Sequence, residues 1–369
     1  MAGRPATRSL RDRPTEVRPR PAVRDLSRGP ASFRIDWDVR PAYDFMFSLT
    51  EEEAGTTDDL PAEDRAWLAN AKASLPARIK ESTARLFESG ICINAAVAFV
   101  DRPDVRTADE VVEAMRETSA ADVIRAVFEY GPRDPGTSAL IDRAIEGDAA
   151  AITALEETLD EHHKEGRLEL LHDPEGTVAS IVEALAAWAK PFAEIQPRVT
   201  EIIERDYADR AADRATLAPI DLIERTTGGI RWLPESGVRR VILAPSYFSR
   251  PYNFLMSGAD WRLFAYPVAD SALEPDDRLA APQAVVRLHR ALGDETRLRI
   301  LKLLAGRDLY LTEIAQQLEL SKPTIKHHLA LLRAAGLVTV TESGAVMYYS
   351  LRRNRLDDAS ADIKRFLIG

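Results

Sequence analysis

The sequence has very little cysteine and no long apolar segment. Cys92 is the only cysteine among 369 residues, which excludes an intramolecular disulfide and suits a reducing compartment such as the cytoplasm. No apolar run approaches the roughly 18 residues of a membrane-spanning helix, and no signal-peptide core follows Met1. Neither membrane insertion nor export is therefore expected. With 45% hydrophobic residues, the chain can bury a sizeable core and is long enough for two or three domains.

The signatures of common enzyme classes are also missing. The sequence has no Gly-x-Gly-x-x-Gly, no phosphate-binding loop, no Gly-x-Ser-x-Gly and no His-Glu-x-x-His. Carboxylates are plentiful in the middle of the chain, but no spacing singles out a pair. We therefore predict that the protein is not an enzyme and needs no cofactor, with an enzyme fused to another module as the alternative.

Positive charge is scarce overall and unevenly distributed. The net charge is −10, but residues 1–34 carry +6, residues 35–281 carry −21 and residues 282–369 carry +5. Only the two ends of the chain can therefore attract phosphates. This distribution of net charge favours nucleic-acid binding by one end of the chain and predicts that the acidic middle lies away from DNA.

The composition divides the chain into three parts. Residues 1–32 are rich in arginine and proline and nearly free of large apolar residues, which predicts a disordered basic arm. The arm either adds sequence-independent phosphate contacts or is passive, and Met1 need not be the true start. The sequence pattern of residues 33–281 predicts a mostly helical regulatory or oligomerisation domain. A polar boundary ending at Pro282 then leads to a separate domain over residues 282–369.

The predicted fold class is α+β. Helices are expected over 62–75, 77–89, 108–117, 120–130, 137–146, 148–164, 175–189 and 191–213, with a break at Lys190-Pro191. Extended segments near Ile35 and over 229–233, 238–245 and 261–267 predict a small antiparallel sheet. The aromatic segment 246–252, between two of these strands, either lines a cleft or packs the sheet against the helices.

The most informative stretch is residues 320–333. Ser321 is a good N-cap, because its hydroxyl can accept a free backbone N–H, and Pro323 fits the first turn of a helix. At about 100° per residue, one apolar face is formed by Ile325, Leu329 and Leu332. The rest of the surface carries Lys322, Thr324, Lys326 and His327. A short helix with these two faces is typical of a DNA-reading element.

The segments around this helix complete a helix-turn-helix with a wing. A short amphipathic helix over 311–318 precedes the helix over 321–335. After Gly336 the periodicity changes to that of extended chain, and two such runs separated by Ser343-Gly344 predict a β-hairpin. A last helix is expected from Asn354 to about Leu367.

With these motifs identified, residues 284–367 resemble the winged helix-turn-helix of the ArsR family of bacterial transcription repressors. The resemblance rests on the run Ala-Leu-Gly-Asp-Glu-Thr-Arg-Leu-Arg-Ile-Leu at 291–301 and on Ser-Lys-Pro-Thr-Ile-Lys-His-His-Leu at 321–329. It covers about a quarter of the chain. The order of elements before it also resembles a subgroup of ArsR-type regulators with a long N-terminal domain.

The resemblance implies a sequence-specific transcription regulator. It further implies a homodimer that reads a pseudo-palindromic operator in double-stranded DNA through paired helices 321–335. The helix N-termini at Thr312 and Ser321 are expected to hold phosphates. Base contacts are expected from Lys322, Thr324, Lys326 and His327. His328, on the core side of the same helix, is expected to be a hydrogen-bonded structural residue.

Two departures from the family pattern narrow these expectations. The wing tip, residues 342–345, lacks the Arg or Lys that usually reaches the DNA backbone, so the nearby Arg352, Arg353 and Arg355 are expected to compensate. No Cys lies in 311–318 and no His in the last helix, so the family's metal-sensing sites are missing and no metal is expected. The cluster of His162, His163 and His172 is interpreted as a solvated helix face.

The role of residues 33–281 is left with alternatives. They bind a small-molecule effector that shifts DNA affinity, or they only add dimer interface. A winged helix used for protein contacts alone is a further alternative. A bound ligand would raise the melting temperature of the protein, whereas a dimer surface would not.

Overall fold

The computed structural model describes residues 33–49, 59–88, 90–129, 135–159, 164–258, 260–273, 282–343 and 346–368. The basic arm predicted over residues 1–32 and the domain boundary predicted before Pro282 lie outside these residues. From Phe33 onward the chain forms one compact unit, so contacts between its middle and C-terminal parts can be followed directly.

Helices fill most of the described chain between residues 42 and 226. They are α1 (Ala42–Phe47), α2 (Ala62–Ser74), α3 (Ala77–Glu88), α4 (Ile91–Asn94), α5 (Ala108–Glu117), α6 (Ala120–Phe128), α7 (Pro135–Ile145), α8 (Ala149–Glu156), α9 (Lys164–His172), α10 (Pro174–Asp209), α11 (Ala211–Thr216) and α12 (Pro219–Thr226). Their apolar faces share one core, which includes Phe45, Leu86, Met115, Ile181 and Phe192. The first five predicted helices are confirmed to within two residues at each end. The helix predicted over 148–164 is wrong in extent, because α8 ends at Glu156.

The longest helix, α10, corrects a second prediction. The break expected at Lys190-Pro191 does not occur, and α10 continues for 36 residues through Pro191 and Pro197. A proline removes one helical hydrogen bond and usually bends the helix. Here the buried face continues on both sides of Pro191, with Trp188 and Phe192 fully buried, so tertiary packing outweighs the lost hydrogen bond.

The sheet that packs against these helices is mixed, not antiparallel as predicted. The strands before the C-terminal part are β1 (Arg34–Trp37), β2 (Ile230–Trp232), β3 (Arg240–Ser246), β4 (Phe254–Ser257) and β5 (Trp261–Pro267). Four of them form a sheet in the order β1-β3-β5-β4, and the strand predicted near Ile35 is confirmed as its edge. β1 and β5 each pair in parallel with β3, whereas β4 pairs antiparallel with β5. β3 and β5 are buried on both faces, a pattern typical of parallel strands that alone does not fix their direction.

β2 does not belong to this sheet, although the sequence pattern places it there. It pairs in parallel with a strand of the C-terminal part, with Ile230 opposite Val340. Its side chains remain in the middle part, because Trp232 is buried in a core with Ile223 and Val241. β2 covers an edge whose N–H and C=O groups would otherwise be unpaired, and it therefore joins the two predicted domains.

The C-terminal part has the predicted winged helix-turn-helix order. Its elements are α13 (Gln283–Leu292), α14 (Glu295–Leu304), β6 (Leu309–Tyr310), α15 (Leu311–Leu318), α16 (Lys322–Ala334), β7 (Val338–Ser343), β8 (Val346–Leu351) and α17 (Arg353–Ile368). The sheet order is β2-β7-β8-β6. A separate apolar core includes Leu288, Ile300, Ile314, Ile325, Leu332 and Val338. The helix-turn-helix, hairpin and last helix are confirmed, while Gly344 and Ala345 at the wing tip lie outside the described residues.

A buried ion-pair network fixes α13 against the middle part. Arg287 of α13 donates to Asp59 at 2.6 Å and lies 3.4 Å from Asp270. Arg250 lies 2.5 Å from the same Asp270 and 3.2 Å from Asp59. Burial acts to raise the pKa of Asp270, but the two arginines lower it on balance. Buried charges are unfavourable unless they are paired, so this network constrains where α13 can lie.

Candidate nucleic-acid interface

α16 has one buried and one exposed face, as predicted. Ser321 is the N-cap: its Oγ accepts from the backbone N of Thr324 at 3.3 Å and lies 2.7 Å from Thr324 Oγ1. The buried residues of the helix are Ile325, Leu329 and Leu332. Lys322, Thr324 and Lys326 are exposed, and His327 is half-buried. The helix therefore offers amine and hydroxyl groups outward while its apolar side holds it in place.

The turn between α15 and α16 sets the direction of this exposed face. Glu319 adopts the left-handed conformation, with φ 56° and ψ 38°, which is uncommon for a residue other than glycine. Leu320 N donates to Ala315 O at 3.1 Å. Ala315 is buried, and its small side chain allows α15 and α16 to cross closely, so packing of the two helices supports the unusual turn.

Thr312, where a phosphate contact is predicted, is exposed in the first turn of α15. This helix N-terminus already has an anionic partner, because Glu313 Oε2 accepts from Tyr310 N at 3.0 Å. Arg307 lies 3.0 Å from the other oxygen of Glu313 and offsets its charge. Thr312 is accessible, and its phosphate contact stays a prediction.

Of the three arginines predicted to support the wing, Arg355 pairs with Asp362 at 2.6 Å, and the other two hydrogen-bond to backbone carbonyls. Arg353 Nη2 donates to Ala305 O at 2.6 Å. Arg352 Nη1 donates to Gly228 O at 3.2 Å, immediately before β2. A Cβ on Gly229, whose φ is +125°, would lie 3.4 Å from Arg352 Nη1, so glycine permits this close approach. Their contact with DNA stays a prediction, and Arg352 here faces the middle part of the chain.

His328 lies on the core side of α16, as predicted, but the expected hydrogen bond is missing at Nδ1. Its side chain is 15% exposed, and Nδ1, which lies 3.9 Å from Asp294 Oδ1, has no hydrogen-bond partner in the described part of the chain. Burial lowers the pKa of His328, with Asp294 acting in the opposite direction and Arg297 and His327 adding to the decrease. The geometry favours a neutral imidazole packed inside the domain.

The described residues contain neither a metal-binding cluster nor a membrane-spanning helix. That part of the chain has no group of three or more His, Cys, Asp or Glu able to hold a metal ion. His162 and His163 lie outside it, whereas His172 Nε2 contacts Glu156 Oε1 at 2.6 Å. Nor does any helix in the described ranges have the length and apolarity needed to cross a membrane.

A cleft of about 1060 Å³ separates the C-terminal part from the middle part. The middle part contributes α10–α12, and the C-terminal part contributes α13, the end of α16 and the start of α17. The segment 246–252 has both of the roles that were alternatives for it. Phe248 packs against Trp67 of α2, while Arg250 and Pro251 line the cleft. No local motif predicts this cleft, because its walls come from distant parts of the sequence.

The helix-turn-helix, the wing and the exposed α16 define a winged helix-turn-helix protein of the kind that binds DNA. The family described as "Bacterial regulatory protein, arsR family" matches residues 294–340, which run from the start of α14 into β7. The chain belongs to this ArsR family.

Three relatives show how far the similarity extends. The chain is 40% identical over 70 residues to the "Transcriptional repressor SdpR" of Bacillus subtilis, covering 19% of this chain and 78% of that protein. It is 36% identical over 90 residues to the "HTH-type transcriptional regulator KmtR" of Mycobacterium tuberculosis, covering 24% and 67%. It is 39% identical over 69 residues to the "Transcriptional activator HlyU" of Vibrio cholerae, covering 19% and 63%. The similarity to these relatives covers only about a fifth to a quarter of this chain. The role of the middle part therefore has to be inferred from its structure.

Proposed function

We propose that this protein is a sequence-specific transcription regulator that reads double-stranded DNA through the exposed face of α16. The observation that carries the proposal is the exposure of Lys322, Thr324 and Lys326 on a helix whose opposite face is buried. Amine and hydroxyl groups in the major groove can donate to guanine and adenine acceptors. Relatives named as a repressor and as an activator leave the direction of regulation open. The proposed place of action is the bacterial cytoplasm, where the chromosome lies.

The position of the acidic middle part agrees with DNA reading by the exposed face of α16. The cleft touches α16 only in its last turn, at residues 333–335. At about 1.5 Å per residue, this turn lies roughly 16 Å along the helix from Lys322. The middle part, with its charge of −21 over residues 35–281, therefore faces the end of α16 that is remote from Lys322, although its strand β2 also lies beside β7 of the wing.

A homodimer is the proposed DNA-binding state. Leu356, Ile363 and Leu367 are separated by seven and four residues, so they share one stripe along α17. Leu356 is 39% exposed and Leu367 69% exposed. An apolar stripe left open on the last helix suits contact with the same stripe of a second copy. Two copies would present two α16 helices and require an operator with two-fold symmetry.

A small-molecule effector is the second part of the proposal. The cleft supports it, because about 1060 Å³ of space between two parts of one chain reaches the size range of ligand sites. A ligand held there would contact both the middle part and the last turn of α16. The competing idea, that residues 33–281 only add dimer interface, does not account for a cleft at this position.

The first experiment selects bound sequences from random DNA with the purified full-length protein, and then tests Thr324→Ala combined with Lys326→Ala. Each lost base contact should weaken operator binding by about 1–3 kcal/mol. Both side chains are exposed, so the melting temperature should change little. Arg116→Ala, which removes an exposed cation on α5 of the middle part, is the control.

Two results would count against the proposal. Unchanged operator affinity in the double variant would mean that α16 has been given the wrong role. A selected sequence without two-fold symmetry would contradict the dimer while leaving DNA reading intact.

A further inference from the structure

The two walls of the cleft carry opposite charge. Within the part of the chain that the structure describes, the C-terminal wall contributes no carboxylate and four arginines, namely Arg287, Arg333, Arg352 and Arg355. The facing wall, built from α10–α12, contributes five carboxylates and two arginines: Asp206, Asp209, Asp213, Asp221 and Glu224, with Arg210 and Arg225. A molecule that spans the cleft therefore meets a positive surface on one side and a negative surface on the other.

On the positive wall, Arg352 differs from its neighbours. Arg287 is paired with Asp59 at 2.6 Å, and Arg355 with Asp362 at 2.6 Å. Half-buried Arg352 makes no ion pair with any described residue, and its guanidinium donates to the neutral carbonyl of Gly228 at 3.2 Å. Burial lowers the pKa of Arg352; Glu224 acts against this, and Arg355, Arg231 and Arg225 add to the decrease. Among the described residues, Arg352 is therefore a half-buried arginine close to other arginines and without a carboxylate at ion-pair distance.

On the negative wall, two aspartates complement this arginine. Asp206 is paired with Arg210 at 2.7 Å, and Asp213 lies 3.6 Å from Arg225. Asp209 and Asp221 are exposed and make no ion pair within the described part of the chain. The negative wall thus keeps two carboxylates available to a cationic group.

The lining also has unused hydrogen-bonding capacity. Three buried atoms, Thr226 Oγ1, Arg250 Nε and Asn253 Oδ1, have no hydrogen-bond partner among the described residues, and all three residues line the cleft. Native proteins satisfy the great majority of such groups, with ordered water or a ligand where protein atoms do not reach. Three of them around one cleft favour a polar occupant over an apolar one.

We propose that the cleft binds a small zwitterionic molecule, whose acidic group is held by Arg352 and whose amino group faces Asp209 and Asp221. The inference deepens the proposed function, on which it rests, because this molecule is then the effector. It contacts both walls, so its binding adds to the contacts that hold the winged helix against the middle part. Its effect on DNA would pass through the last turn of α16 and through the pairing of β2 with β7, and not by contact with the reading surface.

The test titrates the full-length protein, without DNA and at constant ionic strength, with O-phosphoethanolamine, inorganic phosphate and ethanolamine. The zwitterion should bind at least about tenfold more tightly than either single-ended probe, because each end adds a charge-assisted contact. Arg352→Gln should weaken binding of the zwitterion and of phosphate about tenfold or more, whereas Arg352→Lys should retain part of it. Asp221→Asn should weaken binding of the zwitterion and leave that of phosphate unchanged. Arg116→Gln, remote from the cleft, should change neither.

Several results would overturn the proposal. They are equal affinity of the wild type and Arg352→Gln for the zwitterion, phosphate binding as tightly as the zwitterion, or no binding of any probe at concentrations of tens of millimolar. If Arg352→Gln does not fold, Asp221→Asn and the ranking of the three probes decide the matter, because Asp221 is exposed.

A binding experiment with operator DNA distinguishes whether Arg352 holds the acidic group of the effector or a DNA phosphate. Without any probe, Asp221→Asn on the opposite wall should keep operator affinity within about twofold, whereas Arg352→Gln decides between the DNA and effector roles of Arg352. A tenfold loss of operator affinity with unchanged probe binding would make Arg352 a phosphate contact and the proposal wrong. Probe binding is measured on the free protein, so failure to select an operator would refute the proposed function without affecting this result.

Discussion

The middle part and the winged helix differ in what they bury. Among the described residues, the winged helix has one buried polar side chain, Thr339, whereas the middle part buries fourteen polar or charged ones, including Asp44, Asp64 and Asp206. An apolar core tolerates many sequences of suitable size and pattern, which suits a module shared by a family. Polar networks demand particular partners, so the middle part has the more specific architecture.

The buried aspartates of the middle part act as long-range connectors. Asp44 of α1 accepts from Ser246 Oγ and from Phe248 N, each at 2.7 Å. Asp206 of α10 accepts from Tyr266 OH at 2.9 Å. Both carboxylates join a helix to the sheet or to the segment that follows it, and each reaches a partner at least 60 residues away in sequence. The middle part is therefore held together by contacts that no short motif contains.

The largest effect should come from separating the two regions at their shared ion-pair network. Asp59→Ala would leave Arg287 and Arg250 without one of their carboxylates, and removing one partner of a buried pair usually costs about 3–5 kcal/mol. Asp59 and Arg250 are 9% and 1% exposed in their side chains, so little solvent screening applies. The free energy of unfolding from urea titration measures this loss.

Glu113→Ala provides the control for that experiment. Glu113 pairs with Arg116 on the surface of α5, where the two side chains are 64% and 49% exposed, and exposed pairs contribute at most about 1 kcal/mol. Equal losses for the two variants would show that the network does not hold α13 in place. The joining of the two regions would then depend on the pairing of β2 with β7.

The difference between local and long-range contacts explains which elements could be predicted from the sequence. The cap at Ser321, the apolar stripe of α16 and the hairpin all depend on residues within a few positions of one another, and local periodicity indicates them. The mixed sheet could not be predicted, because β1 pairs with β3 across more than 200 residues and its direction follows from the helices between. β2 was placed in the wrong sheet for the same reason: its short pattern fits either edge.

The candidate sites show the same division. The exposed positions of α16 follow from helical geometry once the buried stripe is known, so Lys322, Thr324 and Lys326 were predictable. The cleft was not, because it brings Asp221 of α12 and Arg352 of the winged helix into one site. Such a site depends on how the two regions are joined, and that joining depends on β2 and on the buried pairs of Asp59.

A buried titratable group in the middle part gives the next prediction. Burial raises the pKa of Asp44 to about 7, although hydrogen bonds from Ser246 and Phe248 act to lower it. Its folded pKa therefore lies above its unfolded value of 3.8, so its stabilising contribution is complete below about pH 4 and is lost as pH rises through about 7. Relative to wild type, Asp44→Asn should gain roughly 2–4 kcal/mol between these limits.

The test for Asp44 measures the free energy of unfolding of wild type and of Asp44→Asn from pH 4 to 8 and compares the two. Asparagine keeps the oxygen that accepts from Ser246 and Phe248 but does not titrate, which makes it the matched substitution. The exposed Asp104→Asn should show no comparable trend. A difference that stays flat across the series would mean that Asp44 titrates alike in the folded and unfolded states.

The smallest effect is expected in the winged helix, at His328, and it should run in the opposite direction. Burial lowers the pKa of His328 below its usual 6.5, with Asp294 only partly offsetting this. A base with a depressed folded pKa stabilises the protein above its unfolded pKa, and this contribution is lost as pH falls through the folded value. His328→Gln, which cannot titrate, should therefore become more stable relative to wild type as pH falls below about 6.5. The side chain is 15% exposed and Asp294 lies 3.9 Å away, so the change should be smaller than at Asp44. A relative stability that instead increases with pH would show that Asp294 holds the imidazole in its charged form, and the contrast between an apolar winged helix and a polar middle part would then fail at this position.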